Sequence, residues 1–505
     1  MSNKKGFVLM GALIMVITLT FMIFIYVNMS INEINLSLND LHEKQAFWIA
    51  EAGIEHALKC LDDNPDWTDG FQDVDFGNGS YTVTVDPFPL GSDMVRVTSV
   101  GSVNPEKKIV VLVSKYSDEP CSAFDYAYFI NNWAWYWGST ITCNGDARSN
   151  GRFDLVYRPT VNGHLYAGLE IDDHGYGIDG NGGLADHQHE NQSKVRMPIQ
   201  DAAFYMDLAQ AGSGSVKVGN NEIFNKTFGN LPNESGNLVL VGTDESPIII
   251  DGFVYVTGDV IIKGKIKGRG TLYAGRNVYI ADNIEYVDGP STSRPGDADG
   301  DGESTLTEKD TWVEANKSKN LIGLYADENI VMGDYTKDSY YGYEGLDKWY
   351  SNEWLFGMGS EDVGKDGIPD TGDEYEGDGI FQSTYEDLDE DGVFDDNYNW
   401  SDIETQTSIA EFDNLPDGVS SFSDLAVNTT SKIETVLYTN HAIAARTGED
   451  IQFNGSVISK DEAIIYRNNL TMNYDERMNS RYGDEPWSTD LFIPPKGGIK
   501  VKGWK

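Results

Sequence analysis

The feature that most constrains this chain is an apolar run near its N-terminus, residues 7 to 27. No charged residue lies between Lys5 and Glu33. At about 1.5 Å per residue the run would make about 30 Å of helix, the thickness of the hydrocarbon core of a membrane. Lys4 and Lys5 precede it, so the positive-inside rule predicts a cytoplasmic N-terminus and a large external domain. A cleaved secretory signal is the alternative, but its apolar region would be shorter and followed by a small-residue cleavage site.

Apolar residues continue beyond the run at the three-and-four spacing of one helix face. They are Ile31, Ile34, Leu38, Leu41, Trp48, Ile49 and Ala52. Acidic residues and Pro65 then break the pattern. We therefore predict one transmembrane and stem helix over residues 7–64.

Two short segments resemble type IV pilins. Residues 4–7 (KKGF) resemble the end of a prepilin leader, and residues 45–55 (QAFWIAEAGIE) resemble the N-terminal region of PilX-type minor pilins. The resemblance implies that a prepilin peptidase removes residues 1–6 by cutting between Gly6 and Phe7. It further implies a single-pass inner-membrane protein, associated with a pilus, whose partners are other pilin or pseudopilin subunits.

One position departs from the family pattern. Most pilins carry glutamate at the fifth mature position, which is Gly11 here. In the family that carboxylate is thought to meet the N-terminal amine of a neighbouring subunit in an apolar bundle, where an unpaired charge is costly. The resemblance therefore implies a minor subunit that initiates or caps a filament.

Three alternating runs follow the stem, at residues 79–85, 94–103 and 107–115. Their period-two pattern is typical of strands, and the prolines and glycines between them mark turns. We predict a small pilin-like antiparallel β domain over residues 65–116, docked on the amphipathic half of the stem. Residues 117–120 would serve as a linker.

From residue 121 onward short β-prone runs alternate with glycine and asparagine. The fragment LYA recurs at 165–167, 272–274 and 324–326. This pattern favours a mainly β fold and a decorated β-helix or solenoid. Its first part would lie at residues 121–285, a continuation at 321–333, and a C-terminal β block and tail at 431–505. A β-sandwich is the competing interpretation. Residues 201–211 are the one helix predicted here. Residues 124–151 and 473–477 resemble parts of uncharacterised ectodomains found behind PilX-type stems.

An insert at 286–320 contains an EF-hand-like calcium loop at residues 297–308. The pattern D-x-[DN]-x-[DN]-G-x5-E supplies alternating oxygen ligands, a glycine turn and a closing bidentate glutamate. The predicted ligands are Asp297, Asp299, Asp301, Glu303 and Glu308. A solvated acidic loop is the alternative.

A second acidic insert spans residues 334–430 and repeats an acid-glycine-apolar pattern that resembles the calcium repeats of thrombospondin type 3. Its candidate ligands are Asp366, Asp370, Asp387, Asp389, Asp391 and Asp395. The third repeat lacks a closing glutamate, because Tyr398 holds that place. Without calcium so many carboxylates would repel one another, so a disordered insert is the alternative.

Other candidate sites are weaker. Outside the cytoplasm Cys121 and Cys143 could form a disulfide, but spacing alone does not decide it. A group of acids and histidines lacks the spacing typical of zinc ligands, and we predict a polar loop there. The group comprises Asp172, Asp173, His174, His187 and His189.

The net charge of the chain limits the classes of partner that it can bind. A net charge of −44 would repel nucleic acid and anionic membrane surfaces and favours cations. We expect no nucleic-acid partner, calcium as the cofactor and no enzymatic activity, in a minor pilin or pseudopilin-like subunit that serves filament assembly or adhesion to a surface glycan or protein. Two alternatives remain open. One is a polysaccharide-acting β-helix enzyme with Trp133, Trp135 and Trp137 stacking on sugars, and the other is an adhesin on a fixed membrane anchor.

Overall fold

The structure is a computed structural model of the whole chain. It describes residues 4–63, 67–87, 94–103, 106–115, 120–199, 201–291, 295, 304–334, 375, 377, 408–427, 430–446, 450–460, 462–466, 469–482, 493–495 and 497–504. These residues form a long N-terminal helix followed by a mostly β structure. The chain divides into two compact units, Met1–Asp118 with Gly498–Lys505, and Glu119–Gly497.

Helices are few among the described residues. The α-helices are α1 (Lys4–Asp63), α2 (Ala202–Ala211) and α3 (Leu306–Asn316). Short 3-10 helices occupy Ser122–Asp125, Asn181–Gly183, Ala185–His187, Ile409–Glu411, Phe422–Asp424, Glu476–Met478 and Ser480–Tyr482.

Strands are numbered in chain order. The first fourteen are β1 (Phe71–Phe76), β2 (Gly79–Pro87), β3 (Met94–Ser102), β4 (Glu106–Ser114), β5 (Tyr128–Ile130), β6 (Ala134–Trp137), β7 (Ile141–Asn144), β8 (Ala147–Ser149), β9 (Phe153–Val156), β10 (Thr160–Val161), β11 (Leu165–Ala167), β12 (Ile171–Asp172), β13 (Gln188–His189) and β14 (Ser215–Val218). The others are β15 (Asn221–Asn225), β16 (Thr227–Phe228), β17 (Asn237–Gly242), β18 (Ile248–Val256), β19 (Val260–Ala274), β20 (Val278–Tyr286), β21 (Leu321–Ala326), β22 (Ile330–Met332), β23 (Phe412–Asp413), β24 (Lys432–Thr439), β25 (Ala442–Arg446), β26 (Ile451–Ser459), β27 (Glu462–Tyr466), β28 (Leu470–Tyr474) and β29 (Lys500–Trp504).

The predicted stem is confirmed as one unbroken helix of 60 residues, α1. At about 1.5 Å per residue it is about 90 Å long. The large apolar side chains described in its first half are exposed, from Phe7 at 81% to Val27 at 47%. By length and composition this half is suited to crossing a membrane.

The second half of α1 packs on an antiparallel sheet. Strands β2, β3 and β4 coincide closely with the three predicted runs, and β1 adds an edge strand that the sequence analysis missed. The core combines one face of α1 with the inward residues of the three central strands. Its members are Ile49, Ala50, Ile54, Ala57, Leu61, Tyr81, Val83, Val85, Val95, Val97, Ile109, Val111 and Val113.

The last strand, β29, does not belong to the C-terminal block that was predicted for residues 431–505. β29 pairs antiparallel with β4, with Lys500 opposite Ser114 and Val501 opposite Val113, so it belongs to the unit that contains the stem. The second unit is therefore an insertion between two neighbouring strands of the first. Pairing across nearly 400 residues of sequence gives no local signal, which explains the error.

Most strands described in the second unit are parallel and stacked in register, whereas β14 pairs antiparallel with β15 and β18. One row runs from strand to strand through residues of small or aliphatic type. The row is Val256, Ala274, Ala326, Thr439, Ser459, Ile130, Ser149 and Ala167. The three LYA fragments lie in this column of strands, on β11, β19 and β21, as equivalent positions would require.

The order of strands in space differs from the order in the chain. β5 pairs with β26, and β7 pairs with β28, so residues 121–195 continue the stack beyond the C-terminal strands. The chain then returns through α2, whose N-cap Asp201 accepts hydrogen bonds from the backbone N–H groups of Ala203 and Phe204. The prediction of a helix at 201–211 is confirmed.

No disulfide joins Cys121 and Cys143, which corrects that prediction for these two described residues. Both thiols are buried and each donates to a different carbonyl. The Sγ of Cys121 lies 3.2 Å from Arg196 O, and the Sγ of Cys143 lies 3.6 Å from Gly145 O. Cys60 on α1 is also outside any disulfide.

Candidate functional site

Three parallel strands form a separate small sheet in the second unit, β6, β9 and β12. Their register places Trp135 beside Asp154, and Asp154 beside Asp172. Because side chains alternate along a strand, the neighbouring positions point the other way, and Phe153 and Leu155 there are fully buried. The row of Trp135, Asp154 and Asp172 therefore lies on the outer face of this sheet.

Arg152 ties the two aspartates of this row together. Its Nη2 lies 2.6 Å from Asp172 Oδ2, and its Nε lies 3.2 Å from Asp154 Oδ1. Trp133 donates its indole N–H to Asp154 Oδ2, while His174 Nε2 lies 2.8 Å from Asp154 Oδ1. The result is a hydrogen-bonded network with both signs of charge.

The environment of Asp172 favours its ionised form. Partial burial opposes ionisation, but hydrogen bonding from the backbone N–H of His174, with the charges of His174 and Arg152, outweighs it and lowers the pKa of Asp172. A carboxyl group set up in this way remains a carboxylate at neutral pH and is poorly suited to donate a proton.

The same cluster has the residue types of a metal site. One ligand atom each from Asp154, Asp172 and His174 lie within 4.8 Å of one another. The guanidinium of Arg152 already lies against both carboxylates, and a cation placed there would be repelled by it. Because this guanidinium already pairs with both carboxylates, we interpret the cluster as an ion-pair network.

Three exposed aromatic rings continue this face. Trp137, Tyr157 and Tyr176 are 44%, 50% and 48% exposed. Their ring centroids are separated by 6.4 Å between Trp137 and Tyr157 and by 5.1 Å between Tyr157 and Tyr176, with tilts of 40° and 54°. Trp135 joins them to the charged network through an edge contact with Trp137 at 6.3 Å. We call Trp137, Tyr157 and Tyr176 the aromatic row.

The backbone that carries these side chains adopts a rare conformation. Tyr157 and Arg158 have φ values of 63° and 62°, and His174 has a φ of 49°. Left-handed backbone costs about 1–3 kcal/mol for such residues and concentrates at functional sites. Tyr157 and Arg158 follow β9 directly, and His174 is the second residue after the end of β12. The strained backbone therefore coincides with the surface just described.

The predicted group of acids and histidines divides into two. His174 joins Asp154 and Asp172, whereas His187 and His189 lie with His164 near β11 and β13. The His164 and His187 rings stack at 4.2 Å, and His164 Nδ1 lies 3.0 Å from His189 Nε2. The histidines of the predicted group therefore do not come together at one place.

Of the predicted calcium ligands, only Glu308 lies among the described residues. It occupies the first turn of α3, where its Oε2 accepts hydrogen bonds at 2.7 and 2.8 Å from the N–H and hydroxyl of Thr305. Asp297, Asp299, Asp301, Glu303, Asp366, Asp370, Asp387, Asp389, Asp391 and Asp395 lie outside the described residues. Gly6 and Phe7 of the predicted cleavage site lie within α1.

The sequence analysis missed Arg152, Asp154, Tyr157 and Tyr176. A signal was present, because Trp135, Asp154 and Asp172 recur at intervals of 19 and 18 residues. Those intervals equal the sequence separation between paired residues on the neighbouring strands β6, β9 and β12. An alignment of WAWYW, RFDLVY and EIDDHGY at that spacing would have placed Arg152, Asp154 and Tyr176 on one face, whereas strict alternation puts Tyr157 on the other.

Comparisons with known proteins add little. No protein-family profile matches the chain, and no curated protein matches it either. Among solved structures, the competence-associated pilin ComZ from Thermus thermophilus aligns at 12% identity over 91% of this chain and 96% of that protein, with a TM-score of 0.27. Similarity at that level supports no conclusion about fold or function.

Proposed function

We propose that this chain is a membrane-anchored minor pilin or pseudopilin-like subunit that displays a large β-rich ectodomain on a type IV pilus or a type II secretion-like filament. The observation that carries the proposal is the division of α1. Its C-terminal half buries Ile49, Ile54 and Leu61 against an antiparallel sheet, while its N-terminal half exposes apolar side chains throughout. A helix built in this way is anchored to a folded head at one end only.

The exposed half of α1 needs an apolar environment. Burying apolar surface stabilises by about 25 cal/mol per Å², so side chains such as Phe7, Phe21 and Phe24, each more than 60% exposed, are costly in water. A lipid bilayer would cover them before assembly, and the equivalent helices of neighbouring subunits would cover them in a filament. Gly11 brings no carboxylate into that bundle, which supports a position at a filament end.

We further propose that the second unit is a β-helix. Its parallel pairing in three columns, its turn length of about twenty residues and its rows of stacked identical side chains support this. Asn162, Asn144, Asn473 and Asn454 form one such row, with amide contacts of 2.8 to 2.9 Å between neighbours. Side-chain stacking of this kind stiffens a domain, which suits display at a surface.

Calcium binding at residues 297–308 is also part of the proposal. The twelfth position of the loop, Glu308, is held at the start of α3 by a capping box with Thr305. One Glu308 oxygen accepts both hydrogen bonds from Thr305, in a geometry that fixes the side chain at the end of the loop. The acidic repeats of residues 366–395 would bind further ions.

We propose no enzymatic role. The two carboxylates in the charged network are bound to one guanidinium, and the pKa of Asp172 is lowered rather than raised. A glycosidase needs one carboxyl group that stays protonated near neutral pH. This arrangement is better suited to binding than to proton transfer.

The position in the filament can be tested by immunogold labelling of sheared filaments from cells that express the full chain. We expect sparse labels at filament ends. Gly11→Glu should extend labelling along the shaft, and Gly11→Gln, which adds a side chain of similar size without charge, should not. Uniform labelling by the unmodified chain would contradict the proposed position, and absence of label from filaments and membranes alike would contradict the proposed function.

A further inference from the structure

We propose that the outer face of the sheet formed by β6, β9 and β12 binds a neutral oligosaccharide. The aromatic row, Trp137, Tyr157 and Tyr176, would stack against the sugar rings, and the adjoining network of Arg152, Asp172 and His174 would bond to their hydroxyl groups. Binding at this face does not depend on filament assembly, so the proposal stands apart from the proposed function.

Trp135 packs against an outer apolar cluster that includes Val239, Ile261 and Tyr279 and is covered by Phe412 and Phe422 from residues 408–427. The aromatic row, in contrast, is about half exposed. Aromatic side chains left exposed beside a covered face are placed for contact with a ligand.

The exposed rings of the aromatic row are suited to stacking on sugars. Pyranose rings present C–H groups on their faces, and these are attracted to the electron-rich faces of tryptophan and tyrosine. Ring separations of 5.1 and 6.4 Å are of the order of one sugar residue, so successive rings would meet successive sugars. The tilts of 40° and 54° give a twisted platform, which fits a chain that twists along its length.

The charged network beside the aromatic row offers polar groups to a ligand. Arg152 and Asp172 hold each other at 2.6 Å, and His174 lies 3.6 Å from the same carboxylate. Planar guanidinium and carboxylate groups can each bond two neighbouring hydroxyls, and groups already fixed by one another lose little entropy on binding.

The charge of the chain decides between neutral and anionic ligands. Aromatic rows also stack nucleic-acid bases, but those ligands carry phosphates. The chain has a net charge of −44, and the network pairs Arg152 with Asp154 and Asp172 and leaves no excess of positive charge. Polyanions are therefore disfavoured, and among polysaccharides the neutral ones remain.

The test uses the full-length protein in a zwitterionic detergent whose headgroup contains no sugar. Calorimetric titration with cellohexaose, xylohexaose and hexagalacturonate should show saturable binding of a neutral hexasaccharide and weaker or no binding of the anionic one. Trp137→Ala and Tyr176→Ala should each weaken binding about tenfold, as expected when a central aromatic contact is removed.

Matched controls separate stacking from other effects. Tyr176→Phe keeps the ring and should retain binding within about twofold, because it removes only the hydroxyl group. Phe76→Ala removes an aromatic ring of similar exposure from the other unit and should leave binding unchanged. Absence of saturable binding to both neutral sugars, tighter binding of hexagalacturonate, or equal binding by all variants would overturn the proposal.

Discussion

Asn473 and Asn454 lie on neighbouring parallel strands, and the side-chain amide of Asn473 donates to the side-chain oxygen of Asn454 at 2.9 Å. Asn454 in turn donates to Glu434 at 3.4 Å, and Asn473 accepts from Asn144 at 2.8 Å. Both residues are 8% exposed. Each amide therefore satisfies the next one, and the row is a continuous chain of hydrogen bonds inside the stack.

Breaking this row should destabilise the second unit. Asn454→Ala removes an acceptor for Asn473 and a donor for Glu434, and an unsatisfied buried polar group costs about 1–3 kcal/mol. We expect a loss of about 2–4 kcal/mol in the free energy of unfolding measured by urea titration. Asn221→Ala, at an exposed asparagine of β15, should change it by less than about 0.5 kcal/mol. Equal effects of the two substitutions would contradict this account.

The contact between stem and sheet depends on a glycine. A Cβ at Gly101 would collide with the backbone oxygen of Ala46 and lie 2.5 Å from the backbone nitrogen of Ala50, both on α1. Gly101→Ala should therefore lower the stability of the first unit by about 3 kcal/mol, because overpacking against backbone cannot relax by side-chain movement. Gly503→Ala on β29 of the same sheet has open space and should have little effect.

Hydrogen exchange of the full chain, resolved by peptide, is the measurement that distinguishes these two variants. Faster exchange confined to the second half of α1 and to β2–β4 is expected for Gly101→Ala. Unchanged exchange in those segments would show that α1 does not rest on the sheet at this point.

Acid should weaken the second unit through His441. Burial, and secondarily the charge of Lys460, lowers the pKa of His441 to about 4 from an ordinary 6.5. Between these values the unfolded chain binds a proton that the folded chain does not, so stability falls as pH falls. The slope is about 1.4 kcal/mol per pH unit, or about 3 kcal/mol over the whole window.

His441→Asn keeps a neutral donor for Asn329 Oδ1, which His441 Nδ1 contacts at 2.6 Å. The free energy of unfolding of the variant should fall less steeply with acid than that of the unmodified chain, at constant calcium. His42→Asn on the stem is a control that should leave the slope unchanged. A stability difference between chain and His441→Asn that stays constant from pH 7 to 4.5 would contradict the account.

Calcium should raise the melting temperature of the full chain, and chelation should lower it. Extracellular calcium sites bind in about the 10⁻⁴–10⁻³ M range, so one site contributes about 1 kcal/mol at millimolar calcium. Glu308→Gln should remove the part of this calcium-dependent rise in melting temperature that the loop at 297–308 contributes. A glutamine preserves the capping box with Thr305 but lacks the bidentate carboxylate.

Glu314→Gln, on the exposed side of the same helix, is the matched control for Glu308→Gln. The variant Asp387→Asn with Asp391→Asn should remove part of the response that remains. Identical melting in millimolar calcium and in EDTA would show that neither acidic region binds calcium.

Local patterns predicted individual elements chiefly in the first unit. The spacing of apolar residues gave α1 and α2, and alternation gave β2, β3 and β4. Long-range pairing gave no such signal, so β29 was misplaced and the return of β5 to β26 was not anticipated. At the candidate site, Trp137 was noticed for its type, whereas Asp154 and Tyr157 gain their meaning only from the turn length that sets them beside Trp135 and Trp137.

The most direct test of the pilin assignment is the intact mass of the full-length chain after co-expression with a prepilin peptidase that cleaves a reference prepilin. The account predicts a mature protein that begins at Phe7, having lost residues 1–6, together with unprocessed Gly6→Val and normally processed Gly11→Ala variants. An intact chain beginning at Met1 in the presence of the active peptidase, or cleavage at any other bond, would contradict it.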